Sequence, residues 1–246
     1  MIRGLYTGAS GMSAQQVRLD AIANNLANVD TDGYKRDVAV HKAFAQLLLR
    51  RMNDDGVQTG PFGSSDVSPV IGKVGTGVEN NELFTELEQG ALKETQSDFD
   101  VALDGPGFIA IQTPYGERYT RNGSFVLGKE GFLETKDGYP VLGENGPIKV
   151  KENNFTIDAK GGIFINKTFQ DDPFRLVSKD ENTWDKLQKL DNLKVVDFQK
   201  PRFLAKQGGS LWASTEESGD AKLLAQESRP KVIQGFAEAS NVNPVL

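Results

Sequence analysis

The chain has 246 residues, a formal net charge of -6, no cysteine and 38% hydrophobic residues. The acidic balance argues against nucleic acid as a partner, because such binding depends on neutralising phosphates with Lys and Arg. The missing cysteines exclude disulfides, thiolate nucleophiles and cysteine-based metal sites. No apolar run is long enough to span a bilayer, so we expect no membrane insertion. A mean hydropathy of -0.42 predicts a compact core in part of the chain and long connecting arms elsewhere.

The first segment carries an apolar repeat that predicts a long helix. An apolar residue recurs at every seventh position, namely at Leu5, Met12, Leu19 and Leu26. A second, mixed series follows three residues after each, at Gly8, Gln15, Ile22 and Val29. This a/d pattern is typical of a helix that packs on partner helices, although an ordinary core-facing helix also shows such a stripe. Several glycines lower the helix propensity by about 1 kcal/mol each, so the helix should be marginal without a partner.

The helix is predicted to end in the turn-rich run from Asn28 to Gly33. Beyond that turn, the stretch from Ala43 to Met52 predicts a second, shorter helix. The stretch from Asn53 to Val78 is rich in Gly, Pro, Ser and Asp, which is typical of a long loop. These residues therefore read as a connecting arm.

From Phe99 onward the hydrophobic period changes to two, which predicts a series of short antiparallel strands. The Asn-Gly pair at 122–123 is one of the strongest hairpin signals, and the Asp-Gly pair at 137–138 predicts a further turn. A short helix is expected between strands, from Asp180 to Leu190. Strands are predicted at Phe108 to Thr113, Arg118 to Thr120, Ser124 to Leu127, Phe132 to Thr135, Tyr139 to Leu142, Ile148 to Val150, Phe155 to Asp158, Ile163 to Asn166 and Leu193 to Phe198.

The predicted fold class is mainly β, with an antiparallel sandwich or barrel-like domain, a long N-terminal helix and extended arms. Four segments follow from this interpretation. They are the helix at 1–35, a connecting arm at 36–97, the β domain at 98–200 and a return arm at 201–246.

Candidate chemistry in the sequence is weak. Gly105-Pro106-Gly107 begins a relaxed nucleotide fingerprint, but the residues after it favour a strand, so a tight turn is the better interpretation. Asp100 and Asp104 would lie about 13 Å apart on a strand, too far to form a ligand set. His41 is the only histidine and is expected at the surface. We therefore predict no catalytic residue, no metal site, no cofactor and no small-molecule substrate.

Three motifs carry a resemblance to a known family. The first is the run from Ile2 to Met12 together with Asn-Asn-Leu-Ala-Asn at 24–28 and Thr-Asp-Gly-Tyr-Lys at 31–35. The second runs from Gln89 to Phe108 and continues at 119–125, and the third is the segment from Gln234 to Asn243. In this order they resemble the flagellar basal-body rod protein family, which comprises rod and hook axial proteins. The segment from Pro140 to Ile148 is most similar to the proximal, F-type branch, with distal rod or hook-type paralogues as alternatives.

The resemblance implies a structural subunit that assembles with copies of itself and other flagellar rod subunits in the periplasm-crossing rod. It also implies export by the flagellar type III apparatus, which fits the lack of an apolar signal region at the N-terminus. Family members continue after the third motif into a C-terminal helix that pairs with the N-terminal one. We therefore expect the partner of the stripe to lie in a segment that this sequence lacks. The expected assembly interface is Leu5, Met12, Leu19, Ile22, Asn24, Asn25, Leu26 and Asn28.

One competing function belongs to another class. A secreted carbohydrate-active enzyme also fits a β domain that meets the cell wall, since paired carboxylates can cleave glycosidic bonds. The N-terminal helix distinguishes the two hypotheses, because a polymer subunit needs it and an enzyme does not.

Overall fold

The computed structural model describes residues 2–50, 57–66, 70–166, 187–225 and 229–243. Helix α1 spans Ile2–Ala27, and the other regular elements among the described residues are strands, apart from a short 3-10 helix at Pro201–Phe203. The chain divides into two compact units. The first unit comprises Met1–Asn24 and Asp37–Phe84, and the second comprises Asn25–Arg36 and Thr85–Leu246.

The first unit combines most of α1 with three pairs of antiparallel strands in its described residues. The pairs are β1 with β6, β2 with β5, and β3 with β4. Their bounds are β1 Asp37–Ala43, β2 Leu47–Arg50, β3 Val57–Gly60, β4 Gly63–Asp66, β5 Val70–Val74 and β6 Val78–Thr85.

The second unit holds the remaining strands. Their bounds are β7 Leu92–Glu94, β8 Val101–Asp104, β9 Phe108–Thr113, β10 Gly116–Thr120, β11 Phe125–Leu127, β12 Leu133–Thr135, β13 Phe155–Ile157, β14 Gly162–Asn166, β15 Leu187–Asn192, β16 Val195–Asp197, β17 Ala205–Lys206, β18 Leu211–Ala213, β19 Lys222–Leu223, β20 Lys231–Gln234 and β21 Phe236–Glu238. The largest sheet in the described residues has the order β17-β18-β10-β9-β16-β19. Smaller sheets are β13-β14-β15, β11-β12, β20-β8 and β21-β7.

Strand β9 lies at the centre of the second unit, because its two faces pack into different apolar clusters. Ile109 and Ile111 point into one cluster, together with Leu103 of β8 and Val232 of β20. Phe108 and Ala110 point into the other cluster, which is aromatic and contains Tyr119, Phe198 and Trp212. A strand buried on both faces reads as a continuous apolar run, as β9 does in the sequence.

The predicted class is confirmed: the fold is mainly β, with one long N-terminal helix and antiparallel sheets, and the described strands do not close into a barrel. Strand β9 has the predicted bounds, and β13 and β14 begin within one residue of the predicted positions. The Asp-Gly turn forms as expected, with Gly138 at φ 83° and its N–H donating to Thr135 O.

The second helix expected from Ala43 to Met52 is wrong for the described residues. Leu47–Arg50 is instead strand β2, and Leu47 pairs with Val74 of β5. The β-branched residues of β5 supply cross-strand contacts that outweigh the helix propensity of a leucine-rich run. The described part of the expected loop from Asn53 to Val78 is also ordered as strands, β3 to β5. Of the helix expected from Asp180 to Leu190, residues 180–186 lie outside the described residues, and 187–190 begin β15.

The Asn-Gly pair at 122–123 does not form the predicted hairpin, because β10 pairs with β9 and β18 while β11 pairs with β12. Gly123 instead allows two backbone segments to approach each other closely. A Cβ on Gly123 would lie 1.6 Å from Val101 O, and Gly123 O accepts a hydrogen bond from Val101 N at 2.9 Å. The glycine thus lets this segment reach β8.

The two-unit division differs from the four segments expected from the sequence. The residues after 200 do not form a separate arm, because β17, β18 and β19 lie in the largest sheet. Trp212 of β18 is among the most deeply buried side chains of the second unit. The apolar islands of the tail are therefore core strands.

Candidate assembly interface

Large apolar side chains stand exposed along α1. We call this group the apolar stripe, and it consists of Leu5, Met12, Leu19, Ile22 and Leu26. Leu5 is 73% exposed, Met12 71%, Leu19 63%, Leu26 56% and Ile22 51%. These are five of the eight residues that the sequence predicts for assembly. A stripe of this length in solvent is unusual for a helix that only covers its own core.

The buried face of α1 is made of small residues. Ala14 and Ala21, one heptad apart, are the two buried apolar side chains among the described residues of the helix. Each helical residue turns the chain by about 100°, so Ala14 points about 200° away from Met12. Ala21 stands in the same relation to Leu19. The helix therefore turns Ala14 and Ala21 inward and its large apolar residues outward.

The first half of α1 is held to its own unit by polar contacts. Thr7 Oγ1 donates to Thr76 O at 2.9 Å, and Val78 N donates to Ser10 Oγ at 3.3 Å. Between these partners lies Gly77, with φ 150°, where a Cβ would stand 2.6 Å from Ser10 Oγ. Glycine at this position allows the backbone before β6 to reach the helix.

The predicted asparagines differ from the apolar stripe in what they contact. Asn25 Oδ1 accepts a hydrogen bond from the Tyr34 hydroxyl at 3.0 Å, and Asn28 Oδ1 accepts one from Thr31 Oγ1 at 3.3 Å. Both contacts shape the turn that ends the helix. Asn24 is exposed on the last turns of α1. The structure thus brings the five apolar residues together on one face and places Asn25 and Asn28 against the turn that follows α1.

The joint between the helix end and the β strands is built on a buried ion pair. Lys35 Nζ contacts Glu238 Oε1 of β21, and neither side chain is exposed. Lys35 Nζ also donates to Glu88 O at 2.7 Å. Burial lowers the pKa of Lys35 below its ordinary range, and the charge of Glu238 partly offsets this effect. The pair fastens the chain after the helix to the last described strand.

Glu238 gathers further donors. Gly90 N donates to Glu238 Oε1 at 3.0 Å, and Arg121 Nη1 lies 3.5 Å from Glu238 Oε2. Arg121 is itself buried and donates through Nη2 to Gly105 O at 2.7 Å. Burial lowers the pKa of Arg121, with Glu238 again acting in the opposite direction. One carboxylate therefore ties together three distant parts of the chain, and satisfied partners are what such a buried charge requires.

Asn241 and Arg36 extend the joint towards the surface. Arg36 N donates to Asn241 Oδ1 at 2.8 Å, and Asn241 Nδ2 donates to Glu86 O at 2.9 Å. The side chain of Arg36 pairs with Glu86, partly in solvent. Gly33 allows the close contact here, because a Cβ at this residue would lie 2.4 Å from Asn122 N. The turn after α1, which belongs to the first motif, thus meets the second and third motifs within the second unit.

Sequence reasoning missed Lys35, Arg121 and Glu238 as a cluster. Each lies in one of the three motifs, so the motif pattern itself was the signal, but pairing over 203 residues of separation is not visible in spacing. His41, expected at the surface, is half-buried, and its ring nitrogens are shielded without a hydrogen-bond partner. In the described part of the chain no cluster of three or more His, Asp or Glu is placed to hold a metal ion.

None of the described helices has the length and apolarity needed to cross a membrane. Large apolar side chains exposed along a long helix are typical of a subunit that assembles with others. Comparison with known proteins agrees. Residues 5–35 match the model of the flagella basal body rod protein family, and residues 102–165 match the D1 domain of the flagellar hook protein FlgE/F/G family.

Relatives match nearly the whole chain. The flagellar basal-body rod protein FlgG of Buchnera aphidicola subsp. Schizaphis graminum is 33% identical over 99% of this chain and 86% of its own length. FlgG of Borreliella burgdorferi is 32% identical with the same coverage. The flagellar hook-basal body complex protein FlhO of Bacillus subtilis is 36% identical over 64% of this chain and 61% of its own.

The chain belongs to the flagellar basal-body rod protein family, as its motifs predicted. It is a structural subunit of the rod, a part of the flagellum, and it interacts with other rod components. The position along the rod stays a prediction, because the relatives' names do not state whether they are proximal or distal.

Proposed function

We propose that this rod subunit polymerises through the apolar stripe of α1, packing against helices of neighbouring copies and of other rod subunits. The observation that carries the proposal is the exposure of Leu5, Met12, Leu19 and Leu26, each more than half accessible. Burying one leucine removes apolar surface from water and contributes about 1.5–3 kcal/mol. Summed over a stripe and repeated along a polymer, this contribution favours assembly.

The opposite face of α1 supports the same proposal. Ala14 and Ala21 pack within the subunit, and Thr7 and Ser10 are bonded to the backbone before β6. The helix therefore does not need its stripe to stay on its own unit. Asn24, Asn25 and Asn28 complete the proposed interface, and Asn25 and Asn28 also bond Tyr34 and Thr31 in the turn that ends α1.

The rest of the proposal follows from family membership. The subunit leaves the cell through the flagellar type III export apparatus without a cleaved signal peptide and joins the part of the rod that crosses the periplasm. It acts by assembly and mechanical support and not as an enzyme. Its partners are copies of itself and other rod subunits, in the proximal part of the rod.

Substituting one residue of the stripe tests the interface. Leu19→Asp places a charge on the exposed face, where it cannot disturb the subunit's own packing but would be buried in a helix contact at a cost of several kcal/mol. Cells carrying Leu19→Asp should lose motility, and isolated basal bodies should lack the protein. The purified variant should keep the thermal transition of the unsubstituted chain.

Lys129→Asp is the matched control. Lys129 is exposed in the turn between β11 and β12, which belongs to the second unit and not to α1. This change also adds a negative charge at the surface, yet cells should swim normally. If Leu19→Asp cells swim and their basal bodies hold normal amounts of the protein, assembly through the stripe is excluded.

A further inference from the structure

The hairpin of β3 and β4 displays an aromatic side chain at its tip. Gly60 pairs with Gly63, and Pro61 and Phe62 form the turn between them. The Phe62 side chain is completely exposed, at 103% of its reference area. We call it the Phe62 knob. A lone exposed aromatic is ordinary, but one in the turn of a two-stranded hairpin, with its whole side chain in solvent, can enter a recess.

The second unit contains such a recess, which we call the Phe108 pocket. It has a volume of about 230 Å³ and lies between the turn at Gly105 to Gly107, Phe108 and Pro201. Its lining is mostly apolar, and Leu87 contributes to it. The volume falls below the roughly 300–1,000 Å³ of pockets that hold drug-sized ligands. The pocket therefore fits one side chain better than a cofactor or substrate.

The pocket is also lined by the polar side chains of Gln89, Asp197 and Arg121, and of these Arg121 favours an aromatic occupant. Arg121 lines the wall, held in place by Glu238 and Gly105 O, and its guanidinium carbon lies 5.6 Å from the centroid of the Phe108 ring. A fixed guanidinium attracts the face of a second aromatic ring in the same way. Because burial already removes Arg121 from water, adding a ring costs little further desolvation.

We propose that the Phe62 knob of one copy inserts into the Phe108 pocket of a neighbouring copy. The proposal rests on the proposed function, since it needs copies held side by side in the rod. One phenylalanine buries only about 150–250 Å², whereas a stable interface needs about 1,000 Å² or more. The knob could not hold a separate soluble partner, and a copy already bound through its helix is the occupant for which this small area suffices.

The contact is heterologous, because a knob on one unit meets a pocket on the other. Each copy then presents one knob and one pocket, and the contact propagates from copy to copy without closing a dimer. This property matches a polymer.

Photo-crosslinking in assembled rods tests the contact. p-Benzoylphenylalanine is incorporated at Phe62 in cells, and at Tyr115 in the matched control, since Tyr115 is an aromatic at the β9–β10 turn that is 84% exposed. Irradiated basal bodies should yield adducts of two copies only from position 62. Peptide mapping should place the attachment in residues 105–108 or at Leu87 or Pro201.

A cysteine pair gives an independent readout, because the chain contains no cysteine of its own. Phe62→Cys combined with Pro106→Cys, at the exposed rim of the pocket, should produce a ladder of disulfide-linked multimers under oxidation. Tyr115→Cys with Pro106→Cys should not. A single Phe62→Cys substitution should give at most a dimer band.

Several results would overturn the proposal. These are an adduct within one chain, an adduct to a different protein or to another surface, and yields at position 62 no higher than at 115. The amount of unsubstituted protein in the basal bodies is measured first. Its absence there would exclude the proposed function as well, whereas normal amounts without a copy-to-copy adduct would exclude the knob contact alone.

Discussion

Helix α1 and the second unit place their large apolar residues in opposite ways. In the second unit, Leu103, Ile109 and Ile111 are buried, and neighbouring strands cover them. In α1, Leu19 and the other residues of the apolar stripe are exposed, whereas Ala14 and Ala21 are buried. The comparison teaches that an apolar stripe does not identify the face a helix turns towards its own chain. Close approach favours small residues, and the large ones are then left for a partner.

Charged side chains show the opposite arrangement: a pair is buried in the second unit, whereas those described on α1 are exposed. The second unit encloses Lys35 and Glu238 completely, whereas Arg18 and Asp20 of α1 are exposed. A buried pair contributes little net stability against an apolar replacement, but removing one member is costly. The buried ion pair is therefore expected to hold the second unit together, whereas the exposed surface of α1 is accessible to partners.

The largest effect is expected from Glu238→Ala. This change leaves Lys35 buried beside Arg121 without its counter-charge, and such breaks cost about 3–5 kcal/mol. The second unit should unfold at a much lower denaturant concentration, measured by near-ultraviolet circular dichroism, to which the buried Trp212 contributes.

The matched control is Glu86→Ala. Glu86 also pairs with a cation, Arg36, but both side chains are partly in solvent, so the loss should stay within about 1 kcal/mol. Combining Lys35→Met and Arg121→Met with Glu238→Leu should recover part of the loss from Glu238→Ala, because all three buried charges are then removed together. Equal losses of stability for Glu238→Ala and Glu86→Ala would show that the buried pair is no more important to the fold than the partly exposed one.

Parts of this arrangement could be predicted from the sequence and parts could not. The helix, its stripe and strands such as β9 follow from local periodicity. Local periodicity does not show which face of α1 is buried, because this depends on what packs opposite Ala14. Local signals also gave the wrong structure where contacts with distant segments determine it. Leu47 forms a strand because it pairs with Val74, and Gly123 allows Val101 to approach the backbone closely. The ionic joint is the extreme case, since Lys35 and Glu238 come from opposite ends of the chain.

A smaller effect should follow from Ala14→Leu, which tests the inward face of α1. Ala14 is only 5% exposed, so three additional carbon atoms must be accommodated by shifting the helix or its neighbours. Overpacking of this kind costs about 1–3 kcal/mol. The free energy of unfolding of the purified chain should fall by this amount, measured in urea. Gln15→Leu at the adjacent exposed position is the control and should change stability by less than about 0.5 kcal/mol. Similar losses for both would mean that Ala14 is not a packing position.

The smallest effect concerns Glu144, a partly exposed carboxylate of the second unit. Asn192 Nδ2 donates to Glu144 Oε2 at 2.9 Å, and the guanidinium of Arg229 contacts Glu144 Oε1. The hydrogen bond from Asn192, followed by that from Arg229, lowers the pKa of Glu144 below its ordinary 4.5. A carboxyl whose folded pKa is lowered stabilises the fold above its unfolded pKa, and this contribution disappears as the pH falls through the folded value.

Glu144→Gln should therefore reduce the acid sensitivity of the chain. Near pH 7 the unsubstituted chain should be slightly more stable, and the difference should shrink as the pH drops from about 4.5 towards the lowered pKa of Glu144. Thermal unfolding followed across this range measures the convergence. Glu134→Gln is a suitable comparison, since that carboxylate has no ion pair among the described residues. Because Glu144 is partly in solvent, added salt should weaken the effect, whereas the loss from Glu238→Ala should respond much less. A difference between Glu144→Gln and the unsubstituted chain that stays constant with pH would rule out the carboxylate as the source.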